Sequence, residues 1–196
     1  IQLTTGTIDE VQDHSSFIEE HGGRVIDGAV MCYPSQLGTD DASILIAGSS
    51  DVLKECSSFL GVLAPNWTNL GEDISQPTIL SRALISGVVT SLVGFINGIA
   101  ICRAGGISLD IFKEHVNKVN RILPGEKNRL VDAIQDDNTE NTQASIKSWR
   151  EGHQAVCSVA RALETNLILQ DAVQSVFQEG LHSGLGNHDL SALINV

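Results

Sequence analysis

The sequence predicts a partial α/β layer followed by an all-α bundle, organised around one long apolar helix. Three observations predict it. Strand-like and helix-like patterns alternate over the first 74 residues, as they do in layered α/β folds. Strand signals stop after about residue 75. From there residues 79–102 are apolar nearly all round, with no charged side chain between Ala83 and Cys102.

The first element to justify is a helix beginning after Thr7. Thr7 and Glu10 have the spacing of a capping box, in which a hydroxyl and a carboxylate satisfy free backbone N–H groups. Ile8, Val11, Ser15 and Ile18 then mark one face, and Gly22-Gly23 ends the run. Ile1-Gln2-Leu3 before it reads as a strand. Residues 24–27 read as a short strand, and residues 43–48 as a second, more apolar one. Ser50 and Asp51 cap a helix with Val52, Leu53, Cys56 and Leu60 on its inner face. Residues 66–70 read as a last short strand.

The long helix comes next. It is long enough to cross a bilayer. Ser86, Thr90, Ser91, Asn97, three interior glycines and the lack of a basic flank favour burial by protein instead. Ser108 caps a helix carrying Ile111, Phe112, Val116 and Val119, which Pro124-Gly125 is expected to break. A further helix holds Leu130 and Ile134. After a polar connector, Ile146, Trp149, His153, Val156, Ala160 and Leu163 recur at helical spacing, so one stripe should face a core. Leu169, Val173, Val176 and Phe177 mark another helix, and residues 189–194 close the chain.

Composition narrows the function. A net charge of −12 repels phosphate backbones, so nucleic acid is an unfavourable partner. The hydrophobic fraction of 42% is enough for a sizeable core, and aromatics at 4% make that core aliphatic. The four cysteines form no CxxC pair and have no histidine cluster beside them, so neither structural zinc nor a redox dithiol is expected. Reduced thiols in apolar stretches suit a cytoplasmic protein. No GxGxxG, P-loop, HExxH or GxSxG occurs.

Three places carry possible chemistry. Thr4-Thr5-Gly6-Thr7 lies where a strand runs into a capped helix, where hydroxyls and free N–H groups can hold a polar ligand group or serve only as a cap. Residues 27–34 follow a strand with too little polarity for a surface loop, and either line a pocket or pack between layers. His153 falls on the apolar stripe, as a hydrogen-bonded core residue or as a pocket residue.

Three segments in order, residues 3–7, 26–31 and 94–100, together with the ending Asp189-Leu190-Ser191-Ala192-Leu193-Ile194, resemble the imine reductase and reductive aminase family of the β-hydroxyacid dehydrogenase superfamily. The resemblance implies a Rossmann domain that binds NADPH, a long interdomain helix and a helical dimerisation domain exchanged between two subunits. Residues 1–74 then correspond to the second half of the Rossmann domain and residues 75–196 to the helical domain. The first half, with its Gly-rich turn, has no counterpart here, so tight NADPH binding is not expected of this chain alone. Thr4, Thr5 and Gly6 fall on the cofactor side. Met31, Tyr33, Val89 and His153 are the implied lining of an apolar substrate pocket. Ser81 falls at the position of the proton donor, where relatives carry an aspartate, tyrosine or lysine, and Val89 where reductive aminases carry a tyrosine.

These residues imply an NADPH-dependent reductase of C=N bonds acting on an apolar small molecule, as an intertwined homodimer without a membrane. The alternative is a non-redox descendant, a cyclase, isomerase or binding protein that has lost the cofactor and the acid; a plain dimerisation module is a third reading.

Overall fold

The computed structural model describes all 196 residues. They form two compact units, Ile1–Thr90 and Ser91–Val196, and helix α3 (Gln76–Ala104) runs from one into the other.

In the first unit, helix α1 (Ile8–Glu20) begins with the anticipated capping box: the Thr7 N–H donates to Glu10 Oε2 at 2.7 Å and the Glu10 N–H donates to Thr7 Oγ1 at 3.3 Å. Strands β1 (Ile26–Val30), β2 (Ile44–Gly48) and β3 (Thr68–Asn69) form a sheet in the order β1-β2-β3. Residues 1–3 make only a bridge, with Gln2 beside Asp27, rather than the expected strand. β1 pairs antiparallel with β2, Ile26 opposite Gly48 and Val30 opposite Ile44, whereas β2 and β3 run parallel. All five residues of β2 are buried, as befits the middle strand. Ile26, Ile44 and Ile46 pack with Val52, Leu53 and Leu60 of helix α2 (Ser50–Leu63) into an aliphatic core.

Gly28 is needed where it stands. A Cβ there would press into Ile46 and lie 2.7 Å from the Leu45 carbonyl oxygen and 2.8 Å from Leu3 Cδ2. Gly28→Ala is therefore expected to lower stability by about 1–3 kcal/mol, read from the denaturation midpoint, because neither the strand nor its partner can give way.

Asp27 is 2% exposed, and its Oδ1 has no hydrogen-bond partner. Burial pushes its carboxyl from 3.8 up to about 6, against the Gly28 N–H and His14, which pull the other way. The folded state holds this proton more tightly than the unfolded chain does. The stabilisation that gives is complete below 3.8 and is lost as pH rises through about 6. About 3 kcal/mol is at stake over the whole window. Asp27→Asn removes the titration, so the variant should gain stability over the parent as pH rises from about 4 to about 6 and keep that margin above it. Thermal melts of both proteins across that range check it; parallel curves would show that Asp27 is not the group.

In the second unit, α4 (Leu109–Val119), α5 (Leu123–Gln135), α6 (Ile146–Ala162) and α7 (Ile168–His182) follow α3. Ser108 caps α4 as expected. Pro124 does not break a helix but opens α5: in the first turn its missing N–H has no partner to lose. The carboxy-terminal half of α3 meets its neighbours at glycines. The ring of Phe112 lies 3.2 Å from where a Cβ on Gly98 would be, and Leu169 Cδ2 3.9 Å from one on Gly94. Ile146, Phe177 and Ala192 form a small core that Val173, Leu181 and Leu193 extend.

Two expectations about burial are corrected. Within this chain α3 is not buried: only Pro77, Thr78 and Ser81 are, while Leu84, Val88, Val89, Leu92, Val93 and Ile96 lie open. The following helices are too few and too amphipathic to surround it. Likewise the stripe on α6 is only partly a core face, because Trp149 and Val156 are exposed at 46% and 39%. Of the four free thiols, Cys157 alone is buried and the others are half-buried.

Candidate functional site

The segment Leu3-Thr4-Thr5 is held against β1 by two backbone bonds: the Gln2 N–H donates to the Ile26 carbonyl at 2.9 Å and the Gly28 N–H to the Gln2 carbonyl at 2.8 Å. Where β1 ends, the Met31 N–H donates to the Ser43 carbonyl at 2.8 Å. These bonds leave a hollow of about 220 Å³ walled by Leu3, Thr4, Thr5, Ala29, Val30, Met31, Ser81, Arg82 and Ile85. A wider hollow of about 600 Å³ adjoins it, walled by residues 5–8, Glu10, Thr78, Ile79 and Arg82. Thr5 and Arg82 stand on the walls of both.

Thr4, Thr5, Met31 and Ser81 are thus brought together, and Gly6 lies in the adjoining hollow. Tyr33 and Val89 are not on these walls; they are 76% and 51% exposed. The Thr4 hydroxyl accepts from the Gln2 side-chain amide at 2.7 Å, whereas the exposed Thr5 hydroxyl has no partner in the chain. Ser81 is 1% exposed, and its hydroxyl donates to the Thr78 carbonyl at 3.0 Å. That bond points the proton along the helix, so Ser81 must rotate before it can donate to a ligand.

The smaller hollow contains hydroxyls and one guanidinium but no carboxyl, thiol or imidazole. Such walls can orient a polar group, but their hydroxyls are weak acids. No group of three or more histidine, cysteine or acidic side chains is placed to hold a metal ion. Arg82 was not anticipated as a site residue. A sequence signal existed: it is the last charge before the uncharged run that starts at Ala83.

His153 belongs to the second unit, on a groove of about 350 Å³ lined by Trp149, Gly152, Val156, Val173 and Phe177. The Gln174 amide donates to its Nδ1 at 2.9 Å, and its Nε2–H donates to Gln170 Oε1. Gln170 in turn donates to Asn97 Oδ1 at 2.7 Å, and Asn97 to the Asn166 carbonyl at 3.0 Å. This chain places the imidazole proton on Nε2 and holds the ring at the edge of an apolar groove. His153 is therefore both a hydrogen-bonded framework residue and a wall of the groove.

The chain is 22% identical, over 205 aligned positions, to the NADPH-dependent reductive aminase of Aspergillus oryzae, covering 99% of this chain and 67% of that protein. It is 24% identical to the cytokine-like nuclear factor N-PAC of Anopheles gambiae, covering 98% of this chain but only 34% of that one. Among solved structures, a variant imine reductase from Myxococcus stipitatus in complex with NAD+ superposes with a TM-score of 0.95, at 24% identity over 99% of this chain and 69% of that chain. The chain thus spans about two thirds of the reductase-type relatives and about one third of the nuclear factor. Residues 73–196 match the model of the NADPH-dependent reductive aminase-like C-terminal domain. That match covers more than half of the chain, which therefore belongs to the reductive aminase-like family.

Proposed function

We propose that this chain works in an NADPH-dependent reductase of C=N bonds, within an intertwined homodimer. The observation that carries the reading is the hollow in which Thr4, Thr5, Met31 and Ser81 converge. The unengaged Thr5 hydroxyl fits the polar carboxamide of a nicotinamide, with Thr4 and Gly6 beside it. The fit extends to that end of the dinucleotide only, because no Gly-rich pyrophosphate turn occurs in these 196 residues. When bound, NADPH supplies a hydride.

The chain's own residues do the rest. Leu3, Met31 and Ile85 exclude water around the apolar body of the substrate. Ser81 orients the nitrogen, and a water molecule delivers the proton, because a serine hydroxyl is too weak an acid to do so efficiently. The exposed apolar rows of α3 support the dimer: a second copy would cover side chains that this chain leaves open.

The test is NADPH consumption by the natural full-length protein with a cyclic imine such as pyrroline. Turnover is expected, and Ser81→Ala should lower kcat by about 10-fold, the equivalent of one hydrogen bond. Ligand binding or conversion that neither needs nor consumes NADPH would instead support the non-redox alternative.

A further inference from the structure

Arg82 is the one cation on the walls of both hollows, and it has no partner. It takes part in none of the ion pairs of the chain, which join Arg24 to Glu55, Lys118 to Glu114, and Arg129 to Glu126 and Asp189. No side-chain hydrogen bond engages it either. One carboxylate does share a wall with it, that of Glu10. Glu10 is already held: its Oε2 accepts from the Thr7 N–H at 2.7 Å and from the Thr7 hydroxyl at 3.1 Å. Those bonds pull the Glu10 carboxyl below its ordinary value, the backbone bond most strongly.

Arg82 is exposed, and most lysines and arginines of the chain are unpaired as it is; what sets it apart is its place on the walls of both hollows. The one acidic side chain on these walls, Glu10, is bonded to Thr7 and not to Arg82. A planar guanidinium recognises a carboxylate through two parallel N–H···O bonds. The unengaged Thr5 hydroxyl stands on the same wall as a donor for a neighbouring polar atom, and that of Ser81 can join it only by leaving the Thr78 carbonyl.

We infer that Arg82 is the specificity-determining residue of this site and selects imines that bear a carboxylate. The inference rests on the reading of the site as a C=N reductase, and it names the substrate class. It also accounts for the missing acid. A bare guanidinium beside a C=N group repels the positive charge that forms on nitrogen. A substrate carboxylate paired with Arg82 cancels that repulsion. Bound NADPH would supply the hydride for the new C–H bond at the imine carbon; the π pair would move to nitrogen, which takes a proton from water and leaves hydroxide. The products are an amino acid and NADP+. Arg82 neither gives nor takes a proton; it binds the carboxylate and sets which end of the imine faces the hydride.

The experiment uses the natural full-length protein with three probes: pyrroline carboxylate, its methyl ester and unsubstituted pyrroline. Dissociation constants are read by calorimetry, and kcat and KM from NADPH consumption. The carboxylate should bind about 10- to 100-fold more tightly than the ester, the size of a charge-assisted pair. Added salt should weaken it while leaving the ester unchanged. Arg82→Gln should remove the preference by raising the Kd and KM of the carboxylate alone, and Arg82→Lys should restore part of it. Equal binding of carboxylate and ester, or equal loss of all three probes in Arg82→Gln, overturns the inference. Turnover of pyrroline without a carboxylate preference overturns it and leaves the reductase reading standing. Arg82-dependent binding of the carboxylate without turnover of any probe supports the recognition and overturns the reductase reading. Absence of both binding and turnover overturns both.

Discussion

Leu92→Glu in the natural protein is expected to halve its mass in solution at micromolar concentration. Leu92 is 54% exposed in the middle of α3, between Val88 at 52% and Ile96 at 62%, each one helical step of four away along the same ridge. No charge interrupts this helix from Ala83 to Cys102. An apolar surface of that length is what an obligate interface presents. Two-fold symmetry would place two new carboxylates in one dimer, each unpaired and removed from water. At about 3–5 kcal/mol for an uncompensated buried charge, the dimer should weaken by at least about 1,000-fold. Leu92→Met keeps volume and polarity and should leave the mass unchanged. Light scattering on the three proteins decides the matter. A monomeric parent, or a Leu92→Glu protein that keeps the mass of the parent, would remove the dimer from the proposal.

The same helix marks the limit of what the sequence could disclose. Its existence was legible, because the apolar run over residues 79–102 contains no helix-ending proline; the structure extends it to 29 residues, from Gln76 to Ala104. Its surroundings were not. Hydropathy records that Val88 or Leu92 avoids water, but not what excludes the water. The capping signals at Thr7 and Ser108 were legible for the opposite reason: they are satisfied within three residues. Strand direction was not, since the antiparallel pairing of β1 with β2 depends on the path of residues 31–43, and no local pattern encodes that path. Pro124 misled because the same ring that breaks a helix interior is at home in a first turn. At the site, residue types were legible and engagements were not. Nothing in the sequence reveals that the proton of Ser81 is directed at the Thr78 carbonyl, or that the carboxylate of Glu10 is held by Thr7, leaving Arg82 free.

Asp189→Ala should be among the most damaging single substitutions in the second unit. The side chain is 1% exposed yet fully engaged. Its Oδ2 accepts from Arg129 Nη1 at 3.0 Å and from the Thr142 hydroxyl at 2.7 Å, and its Oδ1 accepts from the Ser191 N–H at 3.0 Å. One carboxylate therefore ties α5, the connector before α6 and the closing 3₁₀ turn Leu190–Asn195. Burial acts to raise its pKa, but the donors from Ser191, Thr142 and Arg129 outweigh it and hold the group well below 3.8. Hence the stabilisation is complete above the ordinary carboxyl range and is lost only as pH falls beneath it. Removing the carboxylate strands Arg129, which keeps only Glu126 as a partner, and leaves the Thr142 hydroxyl to the Ala144 backbone alone. A loss of about 3–5 kcal/mol is expected, as for other broken buried pairs. Asp189→Asn keeps the shape and the bonds to neutral donors, so it should retain part of that stability while losing the ionic one. Chemical denaturation at neutral pH separates the cases. Near-parent stability of Asp189→Ala would mean that the closing turn is held by Ile146, Phe177 and Ala192 without help from the carboxylate.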